Sequence, residues 1–248
     1  GKKCVAVVDS GGSPAQGKQL KKIIQKITSV PICYVINTHV HPDHIFGNSA
    51  FRDITDIQFI GHKKLARAMS ERGPFYLARS EEQIAIKLTA DDIIIPTMNV
   101  KNTLELDLGN RIITLTAHPT AHTDNDLTVF DQKTNSLWLA DLLFIGHLPV
   151  LDGSLKGWLQ VINKLEKRRF DVVIPGHGPI VRDWPESLQP QKHYLQYLQK
   201  VVRSKIKNGV YLEDVLITVN YPAKDQWQLF NDFHKKNLSS AYAELEWE

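Results

Sequence analysis

His39-Val40-His41-Pro42-Asp43-His44 puts three imidazoles and one carboxylate into six positions, directly after the apolar run Ile32-Cys33-Tyr34-Val35-Ile36. The run reads as a buried strand and the hexapeptide as the turn at its C-terminal mouth. An irregular turn of this kind can aim alternate side chains at two separate points. His39 and His41 are therefore read as ligands of one ion, and Asp43 and His44 as ligands of a second ion beside it. The competing reading, a polar loop that happens to be rich in histidine, needs four donor side chains in six positions by chance.

The preceding residues set the strand's surroundings. Val5-Ala6-Val7-Val8 is a second short apolar run, ending at Asp9-Ser10-Gly11-Gly12. Ser13 can cap a helix that opens with Pro14. Leu20, Ile23, Ile24 and Ile27 recur at helical spacing and give that helix an apolar face. Strand, helix and strand predict a β-α-β unit with parallel strands. Asp9 and His39 then both stand at C-terminal strand ends, the edge where open α/β sheets bind ligands. Asp9 reads either as an outer partner of a ligating histidine or as a turn residue at the helix entry.

Further along, a short strand is expected over 57–60 and a helix over 62–72. Gly73-Pro74 should break that helix, and 81–88 could form another. Leu104 to Leu108 and Arg111 to Ala117 flank Gly109-Asn110, a hairpin with a two-residue turn. Strands follow over 126–130 and 136–140, an amphipathic helix over 154–169, and a buried strand over 172–174. Helices over 186–207 and 237–248, the last docked by Tyr242 and Trp247, form a C-terminal extension. The expectation is one domain, residues 1–248, with 186–248 packed on it.

Composition bounds the partners. The 248 residues carry a net charge of +3, too little to argue for nucleic acid or an anionic membrane. No apolar stretch is long enough to span a bilayer, and no signal peptide is visible. A small-molecule substrate is left as the expected partner, with oligomeric state open. Cys4 and Cys33 read first as small buried hydrophobes, with a single disulfide as the alternative.

Three later residues complete the donor set, each expected at a strand end: His122 in Ala121-His122-Thr123-Asp124-Asn125-Asp126, Asp141 after Leu137 to Ala140, and His177 in Pro175-Gly176-His177-Gly178-Pro179. The count assigns His39, His41 and His122 to ion one, and Asp43, His44 and His177 to ion two, with Asp141 bridging. Imidazole with carboxylate suits two Zn2+ ions, and iron or manganese would accept the same set. Water held there is acidified to hydroxide near neutral pH. His118 is the alternative to His122 and otherwise an outer or structural residue. His147 faces substrate or is a loop histidine. His62, His193 and His234 read as surface or capping residues. Phe75, Tyr76 and Trp184 wall the cleft or belong to the core.

These motifs, in this order, resemble the metallo-β-lactamase superfamily, and Val8-Asp9-Ser10-Gly11 resembles its first βα turn. The resemblance implies a four-layer αββα sandwich with a dinuclear site at one edge of its two sheets. It also implies that a strand pair normally preceding residue 1 is missing, so that an open sheet edge is expected near Val5 to Val8. More narrowly, Asn37 to Asn48, Ala117 to Asp126, Phe233-His234 and Ala243 to Glu248 resemble the SoxH-like branch, the quinoprotein relay system zinc metallohydrolases. That branch implies export to the periplasm. The carboxylate at Asp141 resembles thioesterase, lactonase and phosphodiesterase branches rather than the true β-lactamases. The function so implied is a dinuclear zinc hydrolase whose metal-bridging hydroxide, oriented by Asp43, attacks an ester, thioester, lactone or lactam carbonyl. The alternatives are iron-dependent sulfur or redox chemistry on the same ligands, phosphodiester cleavage, and a non-catalytic metal-dependent factor in a quinoprotein pathway.

Overall fold

The computed structural model describes residues 1–248, the side chain of Gln83 excepted. Its strands fall into a four-stranded and a five-stranded sheet. The chain forms two compact units, Gly1–Ala117 with Leu127–Lys133, and His118–Asp126 with Thr134–Glu248.

The first unit opens with β1 (Val5–Val8), α1 (Pro14–Ile27) and β2 (Ile32–Ile36). The two strands pair in parallel, as the spacing predicted. Ser13 Oγ accepts the Gln16 N–H at 3.3 Å and Pro14 begins the helix. Leu20 and Ile24 pack on a core of Val7, Ile32, Val35, Phe51 and Phe59. Ile23 and Ile27 stay exposed, so the buried stripe of α1 is narrower than the periodicity suggested. β3 (Gln58–His62) and β4 (Met98–Val100) extend the sheet in the order β1-β2-β3-β4, which leaves β1 at an edge. Cys4 and Cys33, on neighbouring segments with Cα atoms 5.8 Å apart, form a disulfide. They are covalent partners rather than two separate small hydrophobes.

Helix α3 (Leu65–Ile84) runs through Gly73-Pro74 instead of stopping there. A proline inside a helix forfeits one backbone hydrogen bond and costs about 3 kcal/mol. Against that, Leu65, Ala68 and Met69 bury themselves with Val40, Ile45 and Phe46 of the histidine-rich turn, and Tyr76 and Leu77 pack on the same cluster. Burial of several large side chains outweighs the lost bond. Phe75 is exposed and Tyr76 meets Phe46 edge-on, so neither stands alone as a cleft wall. The hairpin of β5 (Thr103–Asp107) and β6 (Ile112–Ala117) turns at Gly109 and Asn110, both with positive φ (85° and 54°), as a tight primed turn requires. β7 (Leu127–Asp131) pairs antiparallel with β6.

The second unit repeats the parallel β-α-β design with β8 (Ser136–Phe144), α4 (Leu155–Leu165) and β9 (Val172–His177). Leu155, Trp158, Leu159, Ile162 and Leu165 form the buried stripe of α4. α5 (Gln189–Lys207), α6 (Leu212–Thr218) and α7 (Phe230–Leu245) follow. α7 starts seven residues earlier than expected, since the sequence stop at Asn237 is a buried polar contact rather than a helix entry. Trp247 is 85% exposed and docks nothing, whereas the Tyr242 hydroxyl donates to the Val210 carbonyl. Trp184 is core, donating its Nε1–H to Arg168. Of the outlying histidines, His193 is exposed. His62 and His234 are buried, contrary to a surface reading, although His62 Nδ1 does accept the Lys64 N–H beside the start of α3.

Two predictions arise from this packing. Gly17 in α1 lies so close to the Gly47 carbonyl that a Cβ at position 17 would overlap it. Ala for Gly inside a helix ordinarily gains about 1 kcal/mol. Gly17→Ala should instead lose about 1–3 kcal/mol by overpacking, read as a lower urea midpoint, and a raised midpoint would refute the close approach. The second concerns His234, whose Nδ1 meets the Tyr194 hydroxyl at 3.0 Å and whose pKa burial holds below the ordinary imidazole value. The unfolded chain then binds more protons, so stability should fall as pH drops below about 6.5. Urea melts of His234→Gln should show a weaker acid dependence than the parent protein over that window.

Candidate metal centre

In the first unit the donors are organised around one carboxylate. Asp9 follows β1 with φ +56°, an unusual conformation for a residue other than glycine, held by its N–H donating to Ile36 at 2.8 Å. Its Oδ1 accepts the Thr38 N–H at 2.8 Å, and its Oδ2 accepts the Thr38 hydroxyl at 2.8 Å and His44 Nδ1–H at 2.7 Å. A proton fixed on Nδ1 leaves the lone pair of His44 on Nε2, the orientation a metal ligand needs. That Nε2 lies 3.3 Å from Asp43 Oδ2, and Asp43 is solvent-exposed. His39 is set the same way, with Nδ1 against the Thr38 hydroxyl at 3.0 Å and Nε2 3.1 Å from His41 Nδ1. The turn itself is stitched through the His44 carbonyl, which accepts from Ser10 N–H at 3.0 Å and Asn37 Nδ2 at 3.2 Å. Asn48 donates to Asn37 at 2.7 Å and locks that amide.

In the second unit His122 is fully buried in the loop 118–126. Its Nδ1–H donates to the Val150 carbonyl at 2.7 Å, and its ring packs on Trp158 and Phe144. Thr123 donates its N–H and hydroxyl to buried Asp126, whose pKa burial pushes up to about 8 against the pull of those hydrogen bonds. Asp141 does not close its strand, because β8 continues to Phe144. It projects from an irregularity instead: Ala140 has φ +47° and the register with β9 shifts on either side of it. Asp141 Oδ2 lies 3.4 Å from His122 Nε2 and 3.4 Å from His177 Nε2. A side chain at Gly176 would overlap the Asp141 carboxylate, so glycine is required there. His177 ends β9 with its ring stacked on Phe144 and His147.

Side chains that could hold a metal ion stand close together within each unit: His39, His41, Asp43 and His44 in the first, and His122, Asp141 and His177 in the second. They do not include His118, whose N–H donates to the Asp126 carbonyl, nor His147, whose Nδ1–H donates to the Leu148 carbonyl at 2.7 Å. The donor spacing fits a metal. Four ligands at about 2.0–2.1 Å from a tetrahedral ion lie roughly 3.3–3.4 Å apart, and the facing donors here stand at 3.1, 3.3, 3.4 and 3.4 Å. Thr38 and the Val150 carbonyl were not singled out in the sequence as supports of the donors. Thr38 borders the hexapeptide, whereas a backbone acceptor leaves no signal in side-chain identity.

The fold and the donor set together are those of a class of metal-binding α/β proteins. The sequence profile of the Metallo-beta-lactamase superfamily matches residues 1–177, and the chain belongs to that superfamily. Linear primary-alkylsulfatase of Pseudomonas sp. (strain ATCC 19151) is 22% identical over 207 residues, covering 69% of this chain and 39% of that protein. The chain thus spans well under half the length of that relative. Among solved structures, a metallo-β-lactamase from Pontibacter korlensis aligns with a TM-score of 0.64 at 19% identity, covering 79% of this chain and 83% of its own. The stereoselective inverting sec-alkylsulfatase Pisa1 from Pseudomonas sp. aligns with 0.75 at 16% identity, covering 98% of this chain and 46% of its own. At these identities the likeness shows the shared mixed α/β fold, two sheets with seven helices.

The role of Asp9 is testable. Asn tolerates the left-handed backbone at position 9 but removes the charge behind His44. Asp9→Asn should weaken Zn2+ binding about 10–100-fold, measured by competition with a chromophoric chelator. Unchanged affinity would show that Asp9 serves only the turn.

Proposed function

We propose that this chain is a dinuclear metallohydrolase in which His39, His41 and His122 hold one ion and Asp43, His44 and His177 hold the other, with Asp141 shared. The observation that carries the reading is the position of the Asp141 carboxylate, one oxygen of which stands 3.4 Å from the Nε2 atoms of both His122 and His177. Zinc is the ion best matched by imidazole with carboxylate, and iron or manganese would fit the same donors. Bound ions of this class polarise an acyl or ester oxygen and make water nucleophilic near neutral pH. The chain's own residues supply the rest. Asp9 and Thr38 hold two imidazoles in the ligating tautomer, and the Val150 carbonyl does so for a third. Asp43, exposed beside His44, orients the attacking water and carries its proton to the leaving group.

The substrate class we favour is a small ester, thioester, lactone or lactam. A second reading is a sulfate ester. It is favoured by two relatives that are alkylsulfatases by name, one aligning over 98% of this chain and so reaching well past residue 177, where the superfamily profile stops. The Cys4–Cys33 disulfide supports an oxidising compartment such as the periplasm. The net charge of +3 gives nucleic acid little to bind. The 248 residues are proposed to act as one functional domain.

The test is metal analysis of protein purified without added metal, with turnover on p-nitrophenyl acetate, a butyrolactone and dodecyl sulfate. About two equivalents of zinc are expected, with at least one lost in His41→Ala and turnover down 100-fold or more. Iron with oxygen uptake would replace this reading by redox chemistry on the same ligands. Full metal loading with no turnover on any of the three would make the protein a binding factor.

A further inference from the structure

One short stretch of chain in the second unit grips His122 twice. The Val150 carbonyl accepts its Nδ1–H at 2.7 Å, and the Asp152 N–H donates to its carbonyl at 3.1 Å. The backbone groups of the residues in between go to a different partner. Asn237 Nδ2 donates to the Pro149 carbonyl at 2.7 Å, and Asn237 Oδ1 accepts the Leu151 N–H at 2.8 Å. A carbonyl and the N–H two residues further on are the pair that one peptide of a neighbouring parallel strand would serve. Here a side-chain amide on α7 serves one such pair and His122 serves the next.

The chemistry of the amide suits that place. A carboxamide offers one acceptor and two donors from a single planar group. Its orientation is fixed, because a carbonyl can only accept and a backbone N–H can only donate. Its remaining proton goes to the Tyr194 hydroxyl at 3.0 Å, so Asn237, fully buried, is committed at both ends. The gripped stretch also lies directly against the loop that carries His122. The Ser154 N–H donates to the Ala121 carbonyl at 2.8 Å, and a Cβ at Gly153 would overlap that same carbonyl. A shift of the Val150 carbonyl would release Nδ1 of the imidazole. The Asp141 carboxylate, 3.4 Å from Nε2, would then draw the proton to the nitrogen that a metal needs bare.

We propose that Asn237 is a positioning residue for His122: by fixing the Val150 carbonyl it keeps the proton of His122 on Nδ1 and the Nε2 lone pair available to an ion. The consequence for metal binding rests on the metallohydrolase reading above, whereas the hydrogen bond at Nδ1 can be read whatever metal the protein holds.

In protein labelled with 15N-histidine, His122 should give a slowly exchanging Nδ1–H signal, identified among the ten histidines by its loss in His122→Gln. In Asn237→Ser that proton should exchange about threefold to tenfold faster, the loss of one hydrogen bond's worth of restraint. Zinc affinity, from competition with a chromophoric chelator, should fall about threefold to tenfold, less than the 10–100-fold typical of a ligand's direct partner. If Asn237→Ser does not fold, Asn237→Asp keeps the shape and loses the donor to Pro149, and should give the same two changes. Val202→Ala, a fully buried truncation on α5, should lower the urea midpoint and leave both readings as in the parent. Equal losses in Val202→Ala, an unchanged Nδ1–H in the Asn237 variants, or a parent signal exchanging as fast as that of exposed His193 would overturn the proposal. A parent protein that binds no zinc would instead remove the metallohydrolase reading and leave the Nδ1–H comparison standing.

Discussion

The structure depends on a carboxylate placed where carboxylates are expensive. Asp141 is 4% exposed, and an ionised group so far out of water survives only with positive charge close by. The His122 and His177 imidazoles do not supply it in their neutral form. His122 spends its proton on the Val150 carbonyl, so the atom it turns to Asp141 at 3.4 Å carries a lone pair. Lone pair facing carboxylate oxygen is repulsive unless the ring is protonated or a cation lies between. The same arrangement recurs at Asp43 and His44, where Asp9 holds the proton on the opposite nitrogen. Each ring is committed, by a neighbour on its far side, to a tautomer that makes sense beside a metal.

That commitment explains several local oddities at once. Asp9 adopts a left-handed backbone because its side chain must serve Thr38 and His44 together. Ala140 does so next to Asp141, where the strand has to release one side chain from its regular alternation. Gly176 has no alternative, since the carboxylate fills the space of its missing Cβ. Strain and small residues gather around the donors, and regular packing elsewhere keeps them there. The disulfide Cys4–Cys33 ties the segment entering β1 to β2, the two strands whose C-terminal ends lead to Asp9 and to the histidine-rich turn.

Most of the donor set was legible in the sequence because metal ligands cluster in short runs and at strand ends, and side-chain identity carries that signal. His39, His41, Asp43 and His44 share one turn, and His177 follows a buried strand closely. Asp141 was singled out as a carboxylate donor but placed at the end of its strand, whereas β8 runs on to Phe144, since a backbone irregularity has no residue signature. Pro74 misled for a related reason: local propensity argues for a break, and only the burial of Leu65, Ala68 and Met69 against Val40 and Phe46 decides otherwise. The cysteines were ambiguous because pairing depends on a distance that only the parallel register of β1 and β2 supplies. Ile23, Ile27 and Trp247 show the converse, apolar residues at plausible docking positions that face solvent.

The C-terminal helices lie outside the superfamily match, yet the second unit ties them directly to one of its donors. On α7, Asn237 accepts the Leu151 N–H at 2.8 Å and donates to the Pro149 carbonyl at 2.7 Å. Those two bonds clamp the backbone on either side of Val150, whose carbonyl holds His122 in its ligating tautomer. About two turns further along, Glu244 accepts from Ser154 Oγ and Leu155 N–H at 2.6 Å each, capping α4, the helix that carries Trp158 against the His122 ring. Asn237 also donates to the Tyr194 hydroxyl at 3.0 Å, so α5 braces the same helix. An acceptor supplied by backbone can be positioned only by whatever grips that backbone. Here the grip comes from side chains more than eighty residues away in sequence, which is why the segment beyond residue 177 belongs to the architecture of the centre even though it contributes no ligand.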